Sequence, residues 1–544
     1  MKKNILSAIA LSALVGMSMV STSCSDADDV KDLTLSQTLS ATNLSMTANA
    51  NLSVIVTWDQ MFNASSYELT VSQDETFADV SQQVYKEIIT AAYRKGGSCS
   101  VTLPKLDPET KYFARLKTMG NAPESKFVYA NVTTVAEQIL SPIAKADITS
   151  NSVVINWTPG EVVKAVEIIN ANGDIVNTLT PTDSDNQNGQ MTIDGLTAHT
   201  SYTIRLVSNT DKTRGHRMFT TLLDLSNAIT IPASAAADGS WVATLEAGLS
   251  GQVFALEEAE YLLPEEVKFI KIKGDIVIAA KDITKMPTLH GAFQIENAAS
   301  PYFYYLKLTL SDNETAAPLN ITDQCINYTA EGTAASLDIE GCEISGYVKG
   351  LVYINKACKI NEINIKENYI HNVICNGGDF IDARVAGGGW NTLNFKDNTV
   401  VDCFTARDFI RNDKDGCINN IENNTFYNCG NSEANYRLFY TRGAGSAHTF
   451  TNNIVSGFNN KRGFYNNATW GTITTQDNVY FDCKNLTELA EGNTENLPFF
   501  DENGQVLSST PFVDAEKGDF RLTDPNLRLK QVGPSYWYEQ DVEE

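Results

Sequence analysis

The 544-residue chain has no surplus of basic residues: 41 Lys and Arg stand against 66 Asp and Glu, a formal net charge of −25, with only five His. A nucleic-acid footprint needs a cationic face, so nucleic acid is excluded as a partner. The same negative field repels polyanionic carbohydrate over most of the surface, and a site for an acidic polymer must then be a local basic patch or recruit a bridging cation. None of the ten Cys sits in a CxxC pair, which leaves zinc and thiol-redox chemistry without their usual ligands. The apolar run from Ile5 to Val20 is too short for a bilayer span. What is present, 42% apolar and 20% charged residues, excludes wholesale disorder, and the length implies roughly three domains.

The first residues read as an export signal over 1–23, with Lys2 and Lys3 ahead of the apolar run. The end of that run, Val20-Ser21-Thr22-Ser23-Cys24, resembles a bacterial lipoprotein lipobox, which implies cleavage and lipidation at Cys24. Residues 24–34 form an acidic tether that is similar to those of Bacteroidota surface lipoproteins. The resemblance implies a lipid-anchored protein of the outer membrane, facing outside. Without Cys24 nine cysteines remain, and an odd number excludes a complete disulfide framework.

Two small β-domains are expected next, over 35–136 and 137–223. Val54-Ile55-Val56-Thr57-Trp58, Tyr67-Glu68-Leu69-Thr70-Val71 and Tyr112-Phe113-Ala114-Arg115-Leu116 alternate with period two, the pattern of a half-buried antiparallel sandwich. Leu103 to Tyr112 resembles the tyrosine corner of fibronectin type III domains, and Trp58 stands at that family's core tryptophan. The second unit repeats both features at Trp157 and at Leu196 to Leu206, with Ala198 in place of proline. The expected role of the pair is to space the remaining chain from the anchor.

Residues 224–544 carry a repeat. Segments ending at Cys342, Asn368, Asn398, Asn424, Asn453 and Asn478 superpose with offsets of 26, 30, 26, 29 and 25. Asn tolerates the left-handed backbone of a tight bend, and stacked Asn amides can bond from coil to coil. Two apolar columns follow, Ile370, Val400, Phe426, Val455 and Tyr480, then Val373, Cys403, Cys429, Phe458 and Cys483, and both are expected to point inward as solenoid packing. Short β runs at this period indicate a right-handed parallel β-helix. The region resembles the pectate-lyase-like β-helix superfamily, and Pro511 to Leu522 is similar to the closing segment of its polysaccharide-acting members. The fold class expected for the whole chain is all-β: two fibronectin type III-like sandwiches and then the β-helix. The order of parts resembles surface lipoproteins of glycan-utilisation systems.

A second short strand follows each bend Asn, at Phe380 to Arg384, Phe409 to Asp413, Phe439 to Arg442 and Phe464 to Asn467. With Ile381 and Ile410 facing inward, alternation sends Phe380, Asp382 and Arg384 outward beside Phe409, Arg411 and Asp413. Coils stacked about 4.8 Å apart would join these into a shelf. Arg407, Arg437, Arg442, Arg462 and Trp390 would border it. Aromatic faces stack on sugar rings, and Arg pairs with uronate carboxylates bidentately, so a pectin-like polysaccharide is the expected ligand. A polysaccharide lyase is the alternative, with Arg411 or Lys414 as base and Asp382 and Asp413 holding calcium. Hydrolysis would draw on Asp379, Asp382, Asp408 and Asp413, whose spacing does not match that of the galacturonases. A structural surface protein without a glycan ligand is the third reading. Glycan transport or degradation proteins are the partners that the first reading implies.

Overall fold

The structure is a computed structural model that describes residues 37–49, 52–62, 64–310, 324–405, 407–464, 471–489 and 499–538. The expected signal peptide, Cys24 and the acidic tether lie outside the described residues. Among those described, no helix is long and apolar enough to cross a membrane. The chain divides into two compact units, one built on 56–101 and 112–131, the other on 47–55, 102–111 and everything from 132 onward.

The first unit centres on a four-stranded antiparallel sheet in the order Gln83–Thr90, Ala64–Ser72, Lys111–Gly120, Val128–Thr133. Tyr67, Leu69, Val71, Ala114 and Leu116 alternate into its core beside Trp58, whose ring lies 5.5 Å from Tyr67. The second sandwich, at the start of the other unit, pairs Ile175–Leu179, Ala165–Asn170, Ser201–Val207 and Thr213–Thr220 in one sheet and Ser152–Asn156 with Gln190–Asp194 in the other. Its corner forms as the sequence reads: the Thr197 backbone N–H donates to Tyr202 Oη at 3.1 Å. These sheets have the fibronectin type III-like form expected of them.

From Ile229 onward the chain winds into a parallel β-solenoid of about ten turns with three sheets. The first sheet runs from Ile229–Ile231 to Gly471–Gln476, the second from Glu260–Tyr261 to Gln505–Val506, and the third from Phe269–Ile272 to Phe439–Thr441. A short helix, Ser240–Glu246, buries Trp241, Val242 and Leu245 at the start of the solenoid core. Both apolar columns point inward, and all nine cysteines among the described residues are free and buried.

The bend between the first and second sheets carries the asparagine ladder. Asn398 Nδ2 donates to Asn424 Oδ1 at 3.1 Å and to the Ile365 carbonyl at 2.9 Å, while its Oδ1 accepts from the Asn368 backbone N–H and Nδ2. The pattern repeats through Asn424, Asn453 and Asn478 and ends on Asp501, which also accepts from Tyr480 Oη at 2.8 Å. The left-handed residue is the one before each rung, Glu367, Asp397, Asn423, Asn452 and Asp477, with φ between 52° and 57°. The ladder Asn therefore serves as a cap for the bend rather than as its left-handed residue. The closing segment folds as an antiparallel pair, Phe512–Asp514 with Asp519–Leu522, and its Phe512, Phe520 and Leu522 cover Val401, Ile454 and Val479 on the second sheet.

Candidate functional site

The third sheet holds the residues expected to form the shelf, with its outward column shifted. Its register pairs Ile381 with Ile410 and Ile410 with Phe439, so the outward column reads Tyr353, Asp382, Arg411 and Tyr440, with Asp382 itself buried beneath Arg384. Ile381 and Ile410 face inward as expected. Phe380 and Phe409 do not face outward: both are fully buried, with ring centroids 5.5 Å apart. The strands begin only at Ile381 and Ile410, so the preceding Phe sits in the corner, where alternation does not apply, and fills the core. Trp390 is likewise inside, and its Nε1 donates to Asn419 Oδ1 at 2.8 Å instead of bordering a surface.

Around the corrected column stands a cluster of acids and arginines. Arg384 Nε donates to both Asp382 oxygens at 3.0 Å, and its Nη2 donates to Asp379 Oδ2 at 3.0 Å. Arg437, buried, donates from its backbone N–H and from Nε to Asp408 Oδ1 at 2.9 and 2.8 Å, and its guanidinium lies 4.0 Å from the Tyr440 ring centre. Arg442, half-exposed, pairs with Asp413 at 2.5 Å. Arg411 is held more loosely: its ion pairs to Asp379 and Asp413 measure 3.9 and 3.7 Å, and its Nε has no acceptor among the described residues. Arg407 lies over Tyr436 at 5.5 Å, Arg462 sits partly buried in the loop before the Phe464 corner, and Lys414 Nζ donates to the Asp415 carbonyl at 3.1 Å.

Burial, with Asp382 and Asp408 close by, pushes the Asp379 carboxyl up to about 7 against the opposing pull of Arg384 and Arg411. Asp408 is raised too, by burial, although Arg437 opposes the change. The acids expected together are thus together, but as partners of arginine. Asp382 is taken by Arg384 and Asp413 by Arg442, and no group of three or more metal-ligating side chains occurs among the described residues, so Asp382 and Asp413 do not fit a calcium ion. Arg411 lies between two carboxylates, 3.9 Å from Asp379 and 3.7 Å from Asp413.

Sequence reasoning missed a cleft of about 320 Å³ on the first sheet. There the 3%-exposed Glu340 accepts from His199 Nε2 at 3.1 Å, from Lys366 Nζ at 3.0 Å and from Tyr302 Oη. Burial raises the Glu340 carboxyl, but the His199 hydrogen bond, Lys366 and Tyr302 outweigh it and bring it down to about 2. The His199 bond in this cluster joins the second sandwich to the solenoid. No period in the sequence links His199, in the corner turn, to Glu340.

Comparison with known proteins places two family matches on the solenoid. Residues 259–403 match a family described as a domain of unknown function (DUF4957), and residues 419–537 match another, domain of unknown function (DUF5123). No curated protein matches the chain. Among solved structures, a two-domain fibronectin type III segment of chicken tenascin is similar at 19% identity, covering 33% of this chain and 99% of its own, with a TM-score of 0.23. The FN1–FN3 domains of chicken CNTN1 are similar at 14% identity over 34% of this chain and 65% of theirs, with a TM-score of 0.16.

Proposed function

We propose that this protein is a lipid-anchored, outer-surface binder of an acidic, pectin-like polysaccharide, which it holds along the third sheet for transport or degradation partners. The observation that carries this reading is the outward column Tyr353–Asp382–Arg411–Tyr440, flanked by Arg384, Arg437 and Arg442. From Tyr353 to Tyr440 the column spans three coil steps, about 14 Å at the usual strand spacing. That is the reach of a short oligosaccharide. Tyrosine supplies a face for a sugar ring with a hydroxyl beside it. Arg411, with loose ion pairs and an unused Nε, is the cation with most to gain from a uronate carboxylate. This local arginine concentration supplies the basic patch that an acidic protein needs to meet a polyanion.

A soluble chain beginning at Ser25 is to be mixed with pectic and neutral polysaccharides, with and without calcium. Affinity-gel retardation and the ultraviolet absorbance of unsaturated uronate products are followed together. Retardation by pectic polymers without product, weakened in Arg411→Ala and Tyr440→Ala, supports the binder. Absorbance that rises with the protein and vanishes in Arg411→Ala replaces it with the lyase, for which the same cation would stabilise the enediolate. Silence in both assays leaves a structural surface protein.

A further inference from the structure

The second sheet carries an open cleft of about 560 Å³ that none of the predicted site residues lines. Its floor comes from three successive coils: Tyr369 and His371, then Asp402, then Tyr427 and Asn428; Glu516 lies on its far wall, the turn of the closing hairpin. The register aligns Tyr369 with Thr399 and Thr425, and His371 with Val401 and Tyr427. The two tyrosines therefore stand two coils apart, about 10 Å along the axis.

Both rings have aromatic neighbours. Tyr369 packs on His371 with centroids 5.0 Å apart, and Tyr427 rests on the edges of Phe520 and Phe512 at 5.6 and 6.2 Å. Neither phenol oxygen has a hydrogen-bond partner among the described residues, and neither is sealed from solvent. In the same lining Asn428 bonds Asp402, and Asn372 bonds His371 Nδ1 at 3.1 Å, so amide and carboxylate groups are already oriented. At Gly518 a side chain would meet nothing nearer than the Tyr369 hydroxyl at 3.7 Å, which leaves the rim open there.

The charge of this lining is the reverse of that on the third sheet. Asp402 and Glu516 face Lys517, which is tied to Asp514 at 2.6 Å, and His371, which lies 3.5 Å from Glu343. A polyanion is repelled by such a lining. Preoriented tyrosine rings with amide, hydroxyl and carboxylate groups between them match a ligand that is rich in hydroxyls and uncharged. We propose that this cleft is a separate binding site for a neutral saccharide, which would let one solenoid hold neutral and acidic portions of a glycan on different faces.

The test is isothermal titration of the chain from Ser25 with cello-, malto-, manno- and xylohexaose. At least one is expected to bind, with affinity lowered about tenfold or more in Tyr369→Ala and about two- to fivefold in Tyr369→Phe. Arg411→Ala should leave that affinity unchanged, and Tyr369→Phe should leave pectic retardation unchanged, which separates this site from the third-sheet reading. Because Tyr369→Ala also removes packing, the melting temperature is measured alongside, and Tyr369→Phe with Glu516→Ala decides if it falls. No binding of any hexaose at millimolar concentration overturns the proposal. So does binding that is untouched by the Tyr369 and Glu516 substitutions.

Discussion

Two polar systems run from coil to coil in this solenoid, one closed to water and one only partly so: Asp408 and Arg437 are buried, whereas Arg442 is half-exposed. In the asparagine ladder each side chain is neutral, and its donors and acceptors are matched by the bend backbone and the neighbouring rungs. On the third sheet the groups are charged and matched unevenly: Arg384, Arg437 and Arg442 are held closely by carboxylates, while Arg411 is held at 3.7 to 3.9 Å. Closing a bend requires only the first kind of polarity. Charges that satisfy one another incompletely cost stability and give nothing to the winding of the chain.

The largest effect should come from breaking the charged system. Asp408→Ala removes the carboxylate that receives both the backbone and side-chain donors of buried Arg437, and a cost of about 3 to 5 kcal/mol is expected. Denaturant unfolding of the solenoid measures it. A loss below about 1 kcal/mol would mean that the third sheet is wetter than its burial implies and would end the contrast with the ladder.

The second effect is on pH dependence, and two carboxyls act in opposite directions. Asp379 is raised to about 7 in the fold, so the folded chain keeps a proton that the unfolded chain releases near pH 4. Its contribution is complete below that point and is lost as pH rises toward 7, on the order of 2 to 4 kcal/mol. Glu340 is lowered to about 2, so its contribution is complete above about pH 4.5 and is lost as pH falls toward 2. In pH-dependent melting, Asp379→Asn should flatten the decline between pH 4 and 7, and Glu340→Gln should flatten the fall below pH 4.5. Either variant altering the other's range would show that the two clusters are coupled.

Third in size is the ladder itself. Asn424→Ala leaves the buried Asn398 backbone N–H without its side-chain acceptor and takes one donor each from the Phe395 and Glu422 carbonyls, the latter keeping the Asp397 backbone N–H at 3.1 Å. The lost bonds and the buried N–H together are expected to cost about 2 to 3 kcal/mol after local relaxation. The same unfolding measurement checks it, and a cost above that of Asp408→Ala would reverse the order argued here.

The ladder was legible in the sequence because its chemistry repeats at a spacing that survives loops of different length, and both apolar columns follow from it by counting. The third sheet was half legible. Its strands are three residues long, so alternation says nothing about the residue before each strand, and Phe380 and Phe409 fall at that position. Phe439 looks like their counterpart, yet it lies 29 residues after Ile410, the same step that separates Asn424 from Asn453, and it pairs with Ile410. Tyr440 was therefore hidden one place away from Phe439, and Tyr353 lies on a coil without a phenylalanine to mark it. The second-sheet cleft was not legible, because its far wall comes from the closing hairpin and no period links Glu516 to Tyr369.

The smallest effect separates the ladder's two possible sources of strength. A second row of stacked amides runs along the outer side of the first sheet: Asn364 donates to Asp338 at 2.8 Å, Asn394 to Asn364 at 2.8 Å, and Asn420 to Asn394 at 2.9 Å. The side-chain bonds resemble those of the inner ladder, but these residues are only half-buried and bond one another without capping the bend backbone. On removal of one amide, water can reach the groups left behind, so Asn394→Ala should cost less than about 1 kcal/mol. If it matched Asn424→Ala, the amide-to-amide bonds alone would carry the ladder's stability. A difference of 1 kcal/mol or more assigns the inner ladder's larger effect to the backbone groups it satisfies, and explains why only the buried row needs asparagine at every rung.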